Sequence, residues 1–190
     1  MNIKRISRKL FYHNLVFNFY LDHIRDDLGQ DVREYFVMQP KNIRDDMGGG
    51  VAVLPVIDGK IGLINIYRPA INASQWEIPH GFVEPDESDN QAAARELEEE
   101  TGLIAPLENY SSLGFVTPDA GVIAAHVHLF SLESHTARNE SVYELGIEQF
   151  KFFEISEIRR MIECSEIRDG FTIAAIFKFL STKGLVRWDL

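Results

Sequence analysis

Phe17 to Asp26 and Arg33 to Gln39 are rich in aromatic and β-branched residues and flank LGQD. They predict a hairpin or a pair of edge strands. A polar stretch follows Pro40 and ends in Gly48, Gly49 and Gly50, where a hinge is expected between this N-terminal element and the rest of the chain. GVAVLPVI (Gly50 to Ile57) and IGLINIYR (Ile61 to Arg68) then flank DGK, a short-hairpin signal. Pro55 has no N–H to give to a ladder, so its strand is expected at a sheet edge or with a bulge. WEIPHG, from Trp76 to Gly81, reads as a short strand.

The next stretch changes period. Ser88 followed by Gln91 makes a capping box, Gln91 to Ala94 are mostly good helix formers, and Gly102 sits where a helix needs a left-handed closing residue. A helix from about Asp89 to Thr101 is predicted. Strands are expected at Ser112 to Thr117, Ile123 to Leu132 and Gln149 to Phe153, and helices at Ser156 to Glu163 and Phe171 to Thr182. Strands without regular βαβ alternation, with separate helices, point to an α+β fold or a layered sandwich.

The chain has 190 residues and a mass of 21.7 kDa, a size for one domain with a small appended element. Its net charge of −10 disfavours a nucleic-acid binder, which needs a basic face to neutralise phosphates. One cysteine, Cys164, allows no internal disulfide and predicts a reducing, cytoplasmic setting; it is expected as a small buried hydrophobe. Lys4, Arg5, Arg8 and Lys9 precede LFYHNLVFNFYL, but His13, Asn14 and Asn18 interrupt that apolar run, which argues against a signal peptide. No apolar run approaches the roughly 20 residues that span a bilayer.

The candidate chemistry lies in the predicted helix. Glu96, Glu98, Glu99 and Glu100 fall within five residues. Positions three and four apart share a helical face, so Glu96, Glu99 and Glu100 point one way, with Ala93 and Leu97 as an apolar stripe. Like charges so spaced oppose the helix, which leaves a solvated acidic face or a cation site. Carboxylate-only ligands suit Mg²⁺ or Mn²⁺, and such ions complete their shells with water and substrate phosphates. The cation reading therefore predicts a polyphosphate substrate and attack by water.

GFVEPDESDNQAAARELEEETGL, from Gly81 to Leu103, resembles the signature of the Nudix hydrolase family. Gly81, Glu87, Arg95, Glu96, Leu97, Glu99, Glu100, Gly102 and Leu103 keep every spacing of that box. The resemblance implies a Nudix-type α/β/α sandwich with a mixed sheet. It implies metal ligation by Glu96, Glu99, Glu100 and the carbonyl of His80, with Glu99 and Glu100 serving catalysis. Gly81, Glu87, Arg95 and Gly102 would be structural, and Glu98 solvated.

Outside the box, IYRP and WEIPHG resemble segments of the branch acting on ADP-ribose and related nucleoside diphosphate sugars. By that resemblance Arg68, Glu77 and Pro118 would contact substrate, and a loop glutamate, Glu144 or Glu148 rather than Glu140, would be the base. His80 replaces a small residue usual there. VTPDAG departs from the usual Ser-Pro-Gly, which leaves other nucleotide sugars open. The same branch implies that residues 1–47 form a β-element that pairs subunits into a homodimer, beside a Nudix domain at 48–190. Tyr35, Phe36 and Tyr67 are candidates to stack on the base. Sheet-facing packing is favoured for His126 and His128. A dinucleoside polyphosphate hydrolase and a non-catalytic nucleotide-sensing module are the competing readings.

Overall fold

The structure is a computed structural model describing residues 2–134, 138–139 and 145–186. Its strands are β1 (Ile3–His13), β2 (Phe17–Asp26), β3 (Asp31–Pro40), β4 (Gly48–Ile57), β5 (Lys60–Arg68), β6 (Ala73–Glu77) and β7 (His80–Phe82). After helix α1 (Asp89–Thr101) come β8 (Leu103–Ile104), β9 (Tyr110–Val116), β10 (His126–Ser134), β11 (Arg138–Asn139) and β12 (Ile147–Phe153). Helices α2 (Ile155–Glu163) and α3 (Gly170–Thr182) follow. The chain divides into two units, Met1–Gly49 with Thr117–His126, and Gly50–Val116 with Val127–Leu190.

In the first unit β1, β2 and β3 form an antiparallel three-stranded sheet rather than a two-stranded hairpin. The sequence hid β1 because two register shifts, between Arg5 and Ser7 and between Leu10 and Tyr12, break its period-two alternation. Arg8 ties the sheet internally through a two-pronged pair with the buried Asp22, at 2.7 Å on each prong. Phe11, Phe19 and Phe36 cluster with ring centroids 6.1–6.5 Å apart.

The second unit is built on a seven-stranded sheet ordered β12-β5-β4-β10-β9, with β6 against β5 and β7 against β4. Strand alternation sorts its apolar residues into two cores. Ala52, Leu54 and Val56 of β4 pack with Ile158 and Met161 of α2 and Ile176 and Phe179 of α3. Val51 and Val53, between them, pack with Ala92, Ala93 and Leu97 of α1. Helices thus cover both faces, and the α+β sandwich expected from the sequence is the fold observed.

Several local expectations are revised. β4 is an interior strand, buried from Gly48 to Val56; Gly48 to Gly50 are strand residues, and the division between the two units falls between Gly49 and Gly50. Pro55 is accommodated because β4 changes partner there: residues 50–52 pair with β7 and residues 56–57 with β5. The β4–β5 turn is the expected one, with Asp58 and Gly59 both at positive φ. WEIPHG is split into β6 and β7 at Ile78 and Pro79. Cys164 caps the end of α2 and is exposed, not buried. Among the described residues no helix is long and apolar enough to cross a membrane.

Candidate active site

Helix α1 begins as predicted, with the Ser88–Gln91 capping box formed in both directions. It ends at Gly102, whose φ of 70° is the left-handed value that glycine adopts at low cost. Its rotation is set by Ala92, Ala93 and Leu97, which are fully buried against the sheet. Glu96 and Glu100 therefore turn inward, 8% and 5% exposed. The Glu99 side chain keeps 53% of its surface in solvent, so the three glutamates do not share one environment. Glu98 is exposed, as expected.

Strand β7 meets both inward glutamates. A Cβ at Gly81 would stand where the Glu96 carboxylate lies, so a side chain there would displace that carboxylate. One residue earlier, the His80 N–H donates to Glu100 Oε2 at 2.9 Å.

Arg95 gathers the acids on the outer side. Its Nη1 donates to Glu96 Oε1 at 2.8 Å and to Glu99 Oε2 at 2.9 Å, while Nε and Nη2 each reach a Glu87 oxygen at 3.1 Å. Nη2 also donates to the Phe82 carbonyl. The hydrogen bonds to Glu87, with those to Glu96 and Glu99, hold the guanidinium protonated well above its ordinary range, against the opposing effect of burial. Burial pushes the Glu87 carboxyl upward, but the Arg95 bonds and the Glu84 N–H outweigh it, and the net shift is downward.

A second network lies at the ends of β5 and β6. Arg68 Nε and Nη2 grip the carboxylate of Glu77, at distances down to 2.6 Å, and Gln75 Nε2 adds a bond at 2.6 Å. Glu77 is 1% exposed. Burial opposes its ionisation, yet the Arg68 and Gln75 bonds and the neighbouring positive charge bring its carboxyl below the usual range. The sequence reading missed Gln75, although its place two residues before Glu77 on a strand puts both on one face.

The His80 ring joins this network. Nδ1 lies 2.9 Å from the Ile78 carbonyl and Nε2 lies 3.0 Å from Arg68 Nη2. A carbonyl only accepts and a guanidinium only donates, so these contacts suit a ring that donates from Nδ1 and accepts at Nε2. The imidazole also meets Phe171 edge-on, with centroids 5.5 Å apart.

Other predicted residues lie elsewhere. Glu148, exposed on β12, accepts from Ser74 Oγ at 2.8 Å rather than from a residue of α1. Glu140 and Glu144 fall outside the described residues. Pro118 belongs to the first unit, whereas the acidic helix belongs to the second. The Tyr35 hydroxyl donates to the Gly121 carbonyl at 2.7 Å, and the Tyr67 hydroxyl donates to Asn72 Oδ1 at 2.7 Å.

Among the described residues, no three His, Cys, Asp or Glu side chains stand together at ligand spacing. Instead Arg95 holds Glu96 and Glu99, and Glu100 is engaged by the His80 amide. The donor chemistry nonetheless fits a hard divalent cation. The carboxylates of Glu96, Glu99 and Glu100 are hard oxygen donors, and Glu96 and Glu100 are nearly buried.

The family model for the NUDIX domain matches residues 47–171. The chain is 28% identical to the ADP-ribose pyrophosphatase of Bacillus subtilis (strain 168) over 179 residues, 91% of this chain and 90% of that protein. It is 25% identical, over the same 91% and 90%, to the methanol dehydrogenase activator of Bacillus methanolicus. A crystal structure of an ADP compounds hydrolase superposes with a TM-score of 0.76, covering 98% of both chains at 16% identity, which speaks to the fold.

Proposed function

The chain belongs to the NUDIX family as one of its pyrophosphohydrolases, and on that premise we propose that it hydrolyses the diphosphate bond of ADP-ribose or a related nucleoside diphosphate sugar, using Mg²⁺. From ADP-ribose the products would be AMP and ribose 5-phosphate. The observation that carries this reading is the inward pair Glu96 and Glu100, seated against Gly81 and the His80 amide.

Glu96, Glu99, Glu100 and the His80 carbonyl are the proposed ligands for the divalent cation, Mg²⁺ or Mn²⁺. When bound, the cation neutralises diphosphate charge and makes water a better nucleophile. Arg95 holds Glu96 and Glu99 in place and would yield part of that grip to the ion. Arg68, clamped by Glu77, offers the rest of its fork to a substrate phosphate. Pro118 is proposed on the substrate side. Glu99 and Glu100 act beside the reacting phosphorus, and Glu148 or Glu144 is proposed as the base that takes the proton of the attacking water.

Residues 1–47 are proposed as a dimer-forming element appended to the Nudix domain at 48–190. Ile3, Ile6, Leu10, Phe11 and Tyr12 of β1 are all about half exposed or more, a run of apolar surface that a second copy would cover. Light scattering coupled to size exclusion reads the result. A chain that runs as a monomer at micromolar concentration would remove the dimer.

The test of function is turnover of a nucleotide panel with Mg²⁺, with products separated by chromatography. ADP-ribose or another nucleoside diphosphate sugar should be cleaved, and Glu100→Gln should fold normally while losing several orders of magnitude in rate. A normal rate in that variant would sink the assignment. Cleavage confined to dinucleoside polyphosphates would replace the substrate class, and binding of nucleotides without products would make the protein a sensor.

A further inference from the structure

A chain of three side chains in the second unit takes no part in the chemistry above. His128, on β10, places Nδ1 2.7 Å from Asp89 Oδ2 and Nε2 2.7 Å from Ser112 Oγ. Each member is brought there by a separate feature of the fold. Asp89 is the first residue of α1, where the positive end of the helix dipole favours its ionised form. His128 and Phe130 alternate toward one face of the sheet. Ser112 reaches the same face because the ladder skips Leu113: Leu129 pairs with Gly114 and Phe130 with Ser112.

The donors and acceptors along the chain suit a relay from serine to imidazole. A carboxylate only accepts, so Nδ1 of His128 carries a hydrogen, and with the ring in its neutral form Nε2 accepts. Its partner is the Ser112 hydroxyl, which therefore donates. Gly114 N–H donates to Ser112 Oγ at 3.1 Å, taking up a lone pair and leaving the hydroxyl hydrogen for the imidazole. The ring cannot easily turn. It lies between Phe115, with centroids 4.2 Å apart at 28°, and Phe130, at 4.1 Å and 38°. His128 and Asp89 keep only 14% of their side-chain surfaces in solvent, while Ser112 is exposed.

From this we infer that Ser112 is a nucleophile activated by His128 and oriented through Asp89, open to small activated carboxylic esters. A hydroxyl, an imidazole and a carboxylate linked in this order meet the geometric requirement for such activation. Ser112 Oγ attacks the ester carbonyl carbon and its proton passes to His128 Nε2. The bond from that carbon to the alkoxy oxygen breaks, and the leaving alcohol carries the proton away from Nε2. Water then attacks the acyl-serine, giving its proton to the same nitrogen, and the acid and free Ser112 are restored. No oxidant and no metal enters the balance.

The test uses the full chain in EDTA, which separates it from any diphosphate turnover. The protein is treated with a fluorophosphonate probe and with p-nitrophenyl acetate, and the modified residue is located by peptide mass mapping. Ser112 should be modified in the folded protein and spared in the urea-unfolded one. His128→Gln and Asp89→Asn should each slow modification at least about a hundredfold, the lower end of what a general base contributes. Thermal melts report whether each variant folds, and Asp89→Asn, which keeps the side-chain size, decides alone if His128→Gln does not. Absence of modification at Ser112 overturns the inference. So does modification at an equal rate in the folded Asp89→Asn variant, which would make the three residues a tether between α1 and the sheet.

Discussion

Replacing Arg68 by alanine leaves Glu77 buried without its counter-ion, and the size of the effect can be worked from the structure. Removing one partner of a buried ion pair costs about 3–5 kcal/mol. The Glu77 side chain is 2% exposed, but that of Arg68 is 34% exposed, so water already screens part of the pair. Gln75 would keep its 2.6 Å bond to the stranded carboxylate. Together these lower the expectation to about 2–3 kcal/mol, or roughly 5–10 °C in Tm for a chain of this size. The sign with pH follows from the depressed carboxyl of Glu77. A folded pKa below the unfolded one adds stability that is present above the unfolded pKa and is lost as pH falls through the folded pKa. The gap between wild type and Arg68→Ala should therefore be widest near neutrality and close in acid, where Glu77 is protonated in both. Urea denaturation at pH 7.5 and pH 4, followed by tryptophan fluorescence, measures it, since Trp76 adjoins Glu77. Adding Glu77→Gln to Arg68→Ala should recover much of the loss by removing the orphan charge. A gap that widens on acidification, or a double variant no better than the single, would refute the reasoning.

Gly81→Ala drives a methyl group into the Glu96 carboxylate. The Mg²⁺ concentration for half-maximal activity should rise at least about tenfold, with a stability cost of about 1–3 kcal/mol. Gly102→Ala puts a Cβ on a residue at φ 70° and should cost about 1–2 kcal/mol in thermal denaturation, with the metal dependence of activity unchanged. Leu97→Ala opens a cavity in the core under α1, where Leu97 is fully buried, and should cost about 2–5 kcal/mol by urea denaturation.

What was legible in the sequence was what neighbours in the chain decide. The Ser88–Gln91 cap, the run of helix formers and Gly102 set the bounds of α1 by interactions a few residues long, and α1 spans the predicted residues. The turn at Asp58 and Gly59 was legible for the same reason. The family pattern was legible because its residues fall within one continuous segment. The tertiary structure decided what depends on distant partners. β1 became a strand despite its broken alternation because β2 offered a ladder, and β4 became central despite Pro55 because two partners share that side. Helix period placed Glu96, Glu99 and Glu100 on one side, but only the packing of Leu97 against the sheet sent two inward and left Glu99 in solvent. His80, Gln75 and the Asp89–His128–Ser112 chain gained their partners in the same way. Local free energies act through the covalent chain, whereas burial and long-range hydrogen bonds exist only once the sheet order and register are set.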